Sequence, residues 1–268
     1  MKQMIAFFDI DGTLTSEIDG SIPESVNDVF KKATENGHLL FLCSGRCICH
    51  IEERFKALSP EGIVCGCGTH IVTNSYGEIL HHRMNPSETA LIRDSARNNR
   101  VDLLYESSGK IGFDPMCSRK TEREKRLAEI LLKDFGTVFT DPDETGFCCD
   151  KVCAFSDNRN DLDIFAGETS DILTRIDRGD GLYEMVPRSF SKASGIEIVL
   201  KKYNIPLTDS WAFGDSNNDL SMLKYVGHPV VMGNAKPETL KEIAEYVAPR
   251  ASENGIAVAL EELGFLDS

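Results

Sequence analysis

The chain has 268 residues, 41% of them hydrophobic and 27% charged, so it carries enough apolar material to bury a sizeable core and is not a disordered polyelectrolyte. Lys and Arg together number 29 against 43 Asp and Glu, a formal net charge of −14, which argues against sequence-independent nucleic-acid binding, where clustered cations must replace phosphate counterions. The longest apolar stretches, such as Leu39–Cys43, are far short of the roughly 18 residues of a membrane span.

The first segment, Met4–Phe8, is a short apolar run of the kind that forms a strand buried on both faces. Asp9 and Asp11 follow at once and interrupt any secretory signal. Pro23, then Val26, Val29 and Phe30 at helical spacing, then Gly37 as a stop, predict a helix. A second apolar run at His38–Cys43, a helix from about Cys47 to Leu58 and a third run at Ile63–Cys65 complete a strand–helix alternation. That alternation is the signature of a doubly wound parallel sheet, a Rossmann-like α/β core. It returns near the C-terminus, with helices at Ser194–Tyr203 and Leu220–Tyr225 and strands at Trp211–Phe213 and Pro229–Met232.

The middle differs. Helices are expected at Ser87–Asn98, Thr121–Phe135 and Asn160–Ala166, and strands at Asp102–Tyr105, Lys151–Phe155, Ile172–Ile176 and Leu182–Val186. Arg178–Gly181 reads as the turn of an antiparallel hairpin joining the last two strands. An α+β insertion at 83–188 inside a core formed by 1–82 and 189–268 is the simplest arrangement. The nine cysteines include no Cys-x-x-Cys pair, and several lie in apolar runs, so they read as thiols of a reducing cytoplasm. The six histidines show no ligand spacing, and His81–His82 reads as a solvated strand end.

Asp9-Ile10-Asp11-Gly12-Thr13 lies just beyond the first buried strand, where open α/β sheets bind ligands. Alone it also reads as a turn with a capping Asp. Gly214-Asp215-Ser216-Asn217-Asn218-Asp219 follows another apolar strand and doubles as a helix N-cap. Two acidic strand ends in one sheet supply hard oxygen donors that suit Mg²⁺. Ser44-Gly45-Arg46, ending the second run, offers a hydroxyl and backbone N–H groups for an anion, or an ordinary capping turn. Lys192 stands in the first turn of a helix, the end that disfavours positive charge, and so serves a ligand or buried acids unless it is a plain surface lysine.

With these residues in this order, the chain resembles the haloacid dehalogenase-like phosphatases, specifically the Cof-type group with a large α/β cap. Asp9-x-Asp11-Gly12-Thr13, Ser44-Gly45-Arg46, Lys192 and Gly214-Asp215-x-x-Asn218-Asp219 are similar to the four motifs of that superfamily, and the closing Asn254–Ala257 segment extends the likeness. One departure stands at Cys67-Gly68-Thr69, where such proteins commonly read Asn-Gly-Ala in a loop bordering the site. The resemblance implies hydrolysis of small phosphorylated metabolites, sugar phosphates foremost, through an aspartyl-phosphate. It implies Asp9 as nucleophile, Asp11 as general acid and base, and Mg²⁺ held by Asp9, the Asp11 carbonyl and Asp215. The phosphoryl oxygens would meet Lys192, Ser44, Asn218 and the backbone N–H groups near Ile10 and Gly45. Asp219 would orient Lys192 or the water around the metal, and the insertion would act as a lid. A sugar phosphomutase and a non-catalytic phosphometabolite-binding protein are the rival readings; the nucleophile set disfavours the second.

Overall fold

The computed structural model describes residues 2–116, 122–135 and 140–267. In chain order the strands and helices begin with β1 (Ile5–Phe8), α1 (Glu24–Glu35), β2 (Leu39–Cys43), α2 (Glu53–Lys56), β3 (Gly62–Cys65), β4 (His70–Thr73) and β5 (Gly77–His81). The middle holds α3 (Pro86–Asn98), β6 (Asp102–Glu106), β7 (Ile111–Phe113), α4 (Glu122–Phe135), β8 (Lys151–Phe155), α5 (Arg159–Glu168), β9 (Leu173–Asp177) and β10 (Leu182–Pro187). The chain closes with α6 (Lys192–Tyr203), β11 (Ser210–Ser216), α7 (Leu220–Tyr225), β12 (His228–Lys236), β13 (Tyr246–Ala248) and α8 (Gly255–Glu262).

The chain forms two compact units. The first contains the residues up to Arg46, Ile51–Leu80 and the chain from Phe190 onward. Its sheet has the order β13-β12-β11-β1-β2-β3-β4-β5, with parallel pairing from β13 through to β3 and an antiparallel β3–β4 pair. The strand order reverses around β1, because the chain runs outward from β1 through β2 and later returns to its other side as β11. This is the α/β class the alternating pattern predicts, and a crevice for ligands opens at such a switch point. β1 shows why its run is apolar throughout. Ile5 and Phe7 pack with Ile196, Val199 and Met222 of α6 and α7, whereas Phe8 stacks on Phe213 and meets Phe30 of α1.

The second unit contains Cys47–His50 and His81–Ser189. Its sheet has the order β7-β6-β8-β10-β9 and is antiparallel in each of its pairings. β9 and β10 form the hairpin expected around Arg178–Gly181. One sheet face, with Leu103, Tyr105, Val152, Ala154, Tyr183 and Met185, packs on Ile92 of α3 and Phe165 of α5. The opposite face carries Leu104, Phe113 and Phe155 beneath Ala128 and Leu131 of α4. It also buries Lys151 between Glu106 and Glu184, at 2.5 and 2.8 Å, an ion triad that strand alternation alone does not announce.

Several sequence expectations change. The helix expected at Cys47–Leu58 is a single turn at Ile48–His50 and the short α2, separated by extended backbone at Glu52. The stretch is shared between the units: Cys47 packs in the apolar cluster of the second, while Phe55 belongs to the first. Thr121, the expected start of the middle helix, lies outside the described residues. His81 is not a solvated strand end, since its ring is 14% exposed and contacts Asp150 at 3.2 Å. No disulfide links the eight described cysteines. Among the described residues no helix is long and apolar enough to cross a membrane.

Candidate active site

Asp9 leaves the end of β1 with its N–H on the Phe213 carbonyl of the neighbouring β11, at 3.0 Å. The chain then folds into a tight turn over Ile10–Leu14 that breaks regular helical geometry at Asp11 and Gly12. Gly12 has a φ of +80°, and a side chain there would meet the Asp215 carboxylate at 2.3 Å. The glycine therefore lets the two acidic strand ends approach one another. Asn234, at the end of β12, braces this turn: its amide donates to the Gly12 carbonyl at 2.7 Å and its carbonyl oxygen accepts from Ala251 N–H at 2.9 Å. Sequence reasoning missed Asn234. Its signal was a polar residue directly after an apolar strand, the same signal that marked Asp9 and Asp215.

Lys192 reaches the same place from the first turn of α6. Its Nζ donates to Asp9 Oδ1 and to Asp219 Oδ1, each at 2.6 Å, with the lysine side chain fully buried. The helix start is held by Ser191, which caps Ser194 N–H, and by Gly68. Gly68 has a φ of +95°, and a Cβ there would stand 2.1 Å from the Ser191 carbonyl. The unusual Cys67-Gly68-Thr69 stretch thus keeps a glycine that, with Gly195 opposite it, lets α6 dock, while Cys67 is buried with a positive φ and Thr69 Oγ1 closes the turn on Gly66.

Asp219 spends its second oxygen on the Asp215 and Ser216 N–H groups, at 3.0 and 2.9 Å, so both its oxygens are engaged by protein. Asn218 is buried, its carbonyl oxygen anchored by Ser216 Oγ at 2.7 Å. Ser44 is buried at the end of β2, its hydroxyl accepting Arg46 N–H across the Gly45 turn at 3.2 Å. Asp11, by contrast, is 59% exposed and paired with Arg46 at 2.6 Å. Asp9, Ile10, Asp11, Ser44, Gly45, Lys192, Asp215 and Asn218 all belong to the first unit.

The electrostatics follow from burial. Desolvation, then the negative charge of Asp219, raise the Asp9 carboxyl well above the ordinary carboxylate range, against the pull of Lys192. Burial works against the Lys192 ammonium, but Asp219 and Asp9 outweigh it and hold it firmly protonated. Donor oxygens of Asp9, Asp215 and Asp219 lie within 4.8 Å of one another. Three carboxylates lie together, two of them sharing one buried ammonium, and their donor atoms are all hard oxygens. A divalent cation fits this set: it would offset the negative charge that, together with burial, raises Asp9, and Asp219 already has both oxygens engaged by protein.

Comparison with known proteins gives the family and the fold. A haloacid dehalogenase-like hydrolase family model matches residues 6–260. YkrA of Bacillus subtilis (strain 168) is 29% identical over 99% of this chain and 100% of its own. The HMP-PP phosphatase of Yersinia enterocolitica is 28% identical over 96% of this chain and 94% of its own. The solved HAD subclass IIB sugar phosphatase BT4131 shares the fold at a TM-score of 0.83 and 22% identity, covering 98% of this chain and 100% of that one. On the match of the family model to nearly its whole length, the chain belongs to the haloacid dehalogenase-like hydrolases.

Proposed function

We propose that this hydrolase is a Mg²⁺-dependent phosphatase of small phosphorylated metabolites, sugar phosphates foremost, working through an aspartyl-phosphate on Asp9. The observation that carries the reading is Asp9 itself: a buried carboxylate held by Lys192 at 2.6 Å, beside the carboxylates of Asp215 and Asp219. Such a residue is costly to keep unless it reacts or binds. Asp9, the Asp11 carbonyl and Asp215 would hold Mg²⁺, which when bound supplies charge neutralisation and polarises the phosphoryl group.

The protein's own part is positioning and proton transfer. Asp9 attacks phosphorus as the bond to the leaving oxygen breaks, and Asp11 delivers a proton to that oxygen. A water then attacks the phosphoryl group, Asp11 takes its proton, and the bond to Asp9 breaks. Lys192, Ser44, Asn218 and the N–H groups of Ile10 and Gly45 hold the phosphoryl oxygens, and Asp219 keeps Lys192 aimed. Phosphoryl transfer asks for little else. These residues see phosphate alone, so discrimination among leaving groups falls to the inserted unit. The names of the Yersinia and BT4131 relatives support a phosphorylated metabolite as substrate, and the thiol-rich composition supports a cytoplasmic setting.

The test is phosphate release across a panel of phosphorylated sugars and nucleotides, with Mg²⁺ and with excess chelator. Free phosphate released only in the presence of metal is expected. Full turnover in verified absence of divalent cation, or conversion of a hexose 1-phosphate to its isomer without free phosphate, contradicts the reading.

A further inference from the structure

Arg46 makes a contact that the four motifs do not explain. Its guanidinium grips the Asp11 carboxylate with both edges of the fork, Nε to Oδ2 at 3.0 Å and Nη2 to Oδ1 at 2.6 Å. The remaining nitrogen, Nη1, donates to Glu52 Oε1 at 3.1 Å. Glu52 is in turn clamped by Arg54, at 2.7 and 3.1 Å, and Arg54 is pinned to the Gly20 carbonyl at 2.6 Å. Both guanidinium groups lie against the buried Phe55 ring, at 5.5 and 4.6 Å from its centroid. Asp11 is 59% exposed and Arg46 only 18%. An exposed carboxylate is thus fixed by a packed cation, itself tied at its far end. That differs from an ordinary surface pair, where two mobile side chains meet in water and little is gained.

We propose that Arg46, held by Glu52, is the positioning residue for the second half-reaction, the hydrolysis of the aspartyl-phosphate. This rests on the reading of Asp11 as the general base. The second half-reaction needs an ionised Asp11 with a fixed orientation, because its oxygen must meet the proton of one particular water. A carboxylate offers about four lone-pair directions; the fork occupies two and leaves two for that proton. In the step itself, water oxygen bonds to phosphorus, the phosphorus–Asp9 bond breaks, and the water proton passes to Asp11. Arg46 touches neither phosphorus nor water. Attack by Asp9 on an aryl phosphate, whose leaving group departs without protonation, does not need Asp11 to be aimed at all.

The experiment uses 4-nitrophenyl phosphate and Mg²⁺ with the full chain, under steady-state and rapid-mixing conditions. For Arg46→Met, kcat should fall by about tenfold to a hundredfold, the loss that goes with a misplaced catalytic group. KM should fall in step, leaving kcat/KM, which reports the first half-reaction, near the wild-type value. A stoichiometric burst of 4-nitrophenol should precede the slowed steady state. Arg46→Lys should recover part of the loss. Glu52→Gln, a milder change that carries the test should Arg46→Met fail to fold, should shift kcat in the same direction by less. In an Asp11→Asn background Arg46→Met should have no further effect. Asp11→Asn with unchanged kcat would sink the reading of Asp11. Asp11→Asn impaired alongside Arg46→Met and Glu52→Gln at wild-type kcat would overturn the role of Arg46, as would equal losses in kcat and kcat/KM.

Discussion

Lys192 sits at the centre of the site's electrostatics, fully buried and bonded at 2.6 Å to two carboxylates. Removing it leaves Asp9 and Asp219 facing each other in low dielectric, and breaking a buried ion pair from one side costs about 3–5 kcal/mol. Urea unfolding of Lys192→Met should show a loss of that order; a loss below about 1 kcal/mol would mean that water or rearrangement satisfies the acids. Such residues are legible in sequence when they break a local rule. Lys192 stands at the wrong end of a helix, and Asp9 and Asp215 follow apolar runs. Asn234 carries the same signal as Asp9 and Asp215, but what it braces is not legible, because its partner is brought to it from afar. Asn234 and Gly12 are separated by 222 positions.

At the level of elements, the ends of β1, β11 and β12 and the turn after β1 hold the site, with Lys192 reaching it from α6. Asn234→Ala strips the Gly12 carbonyl and the Ala251 N–H of their partner, and a buried polar group left unsatisfied costs about 1–3 kcal/mol. Chemical denaturation should show a loss of that size, with the turn at Asp9–Leu14 loosened; unchanged stability would assign the bracing elsewhere. A second tie joins Glu17 to Arg250 Nε at 2.7 Å and to Ser252 N–H and Oγ at 3.1 and 2.8 Å. Burial alone would raise the Glu17 carboxyl, but a hydrogen bond from its own backbone, and then those from Arg250 and Ser252, overcome it and hold the pKa at about 2, below the ordinary 4.5. A carboxyl depressed in the folded state contributes stability that is complete above pH 4.5 and lost as pH falls toward 2. Glu17→Gln should therefore be less stable than wild type above that window and converge with it below; parallel stability curves across the window would contradict the assignment.

Element length decides what sequence pattern reveals. Long periodic segments such as α1 and α6 announce themselves, and β8 falls where its apolar run lies. The short β4, β7 and β13 carry only three or four residues each, too few for a period to emerge. β5 has no fully buried residue and lacks the long apolar run that marked β1 and β2. Ile51, Phe55 and Leu58 are buried at helical spacing, yet the chain is extended at Glu52, just after it passes from the second unit to the first between His50 and Ile51.

For the whole molecule, the α/β class was legible because parallel strands buried on both faces must be apolar throughout, as β1, β2 and β3 are. A ligand that binds only the folded chain stabilises all of it. Mg²⁺ at a hundred times its dissociation constant should add about 2.7 kcal/mol. Thermal unfolding should show that shift with Mg²⁺ in wild type and a much smaller one in Asp215→Asn; an equal shift in both would place the cation elsewhere.

The central claim is that the phosphoryl group passes through Asp9. Acid quenching during turnover of a ³²P-labelled aryl phosphate, followed by peptide mapping, tests it most directly. A hydroxylamine-labile label is expected on the peptide containing Asp9, with neither label nor turnover in folded Asp9→Asn. Undiminished phosphate release by Asp9→Asn, with no labelled peptide in either protein, would contradict it.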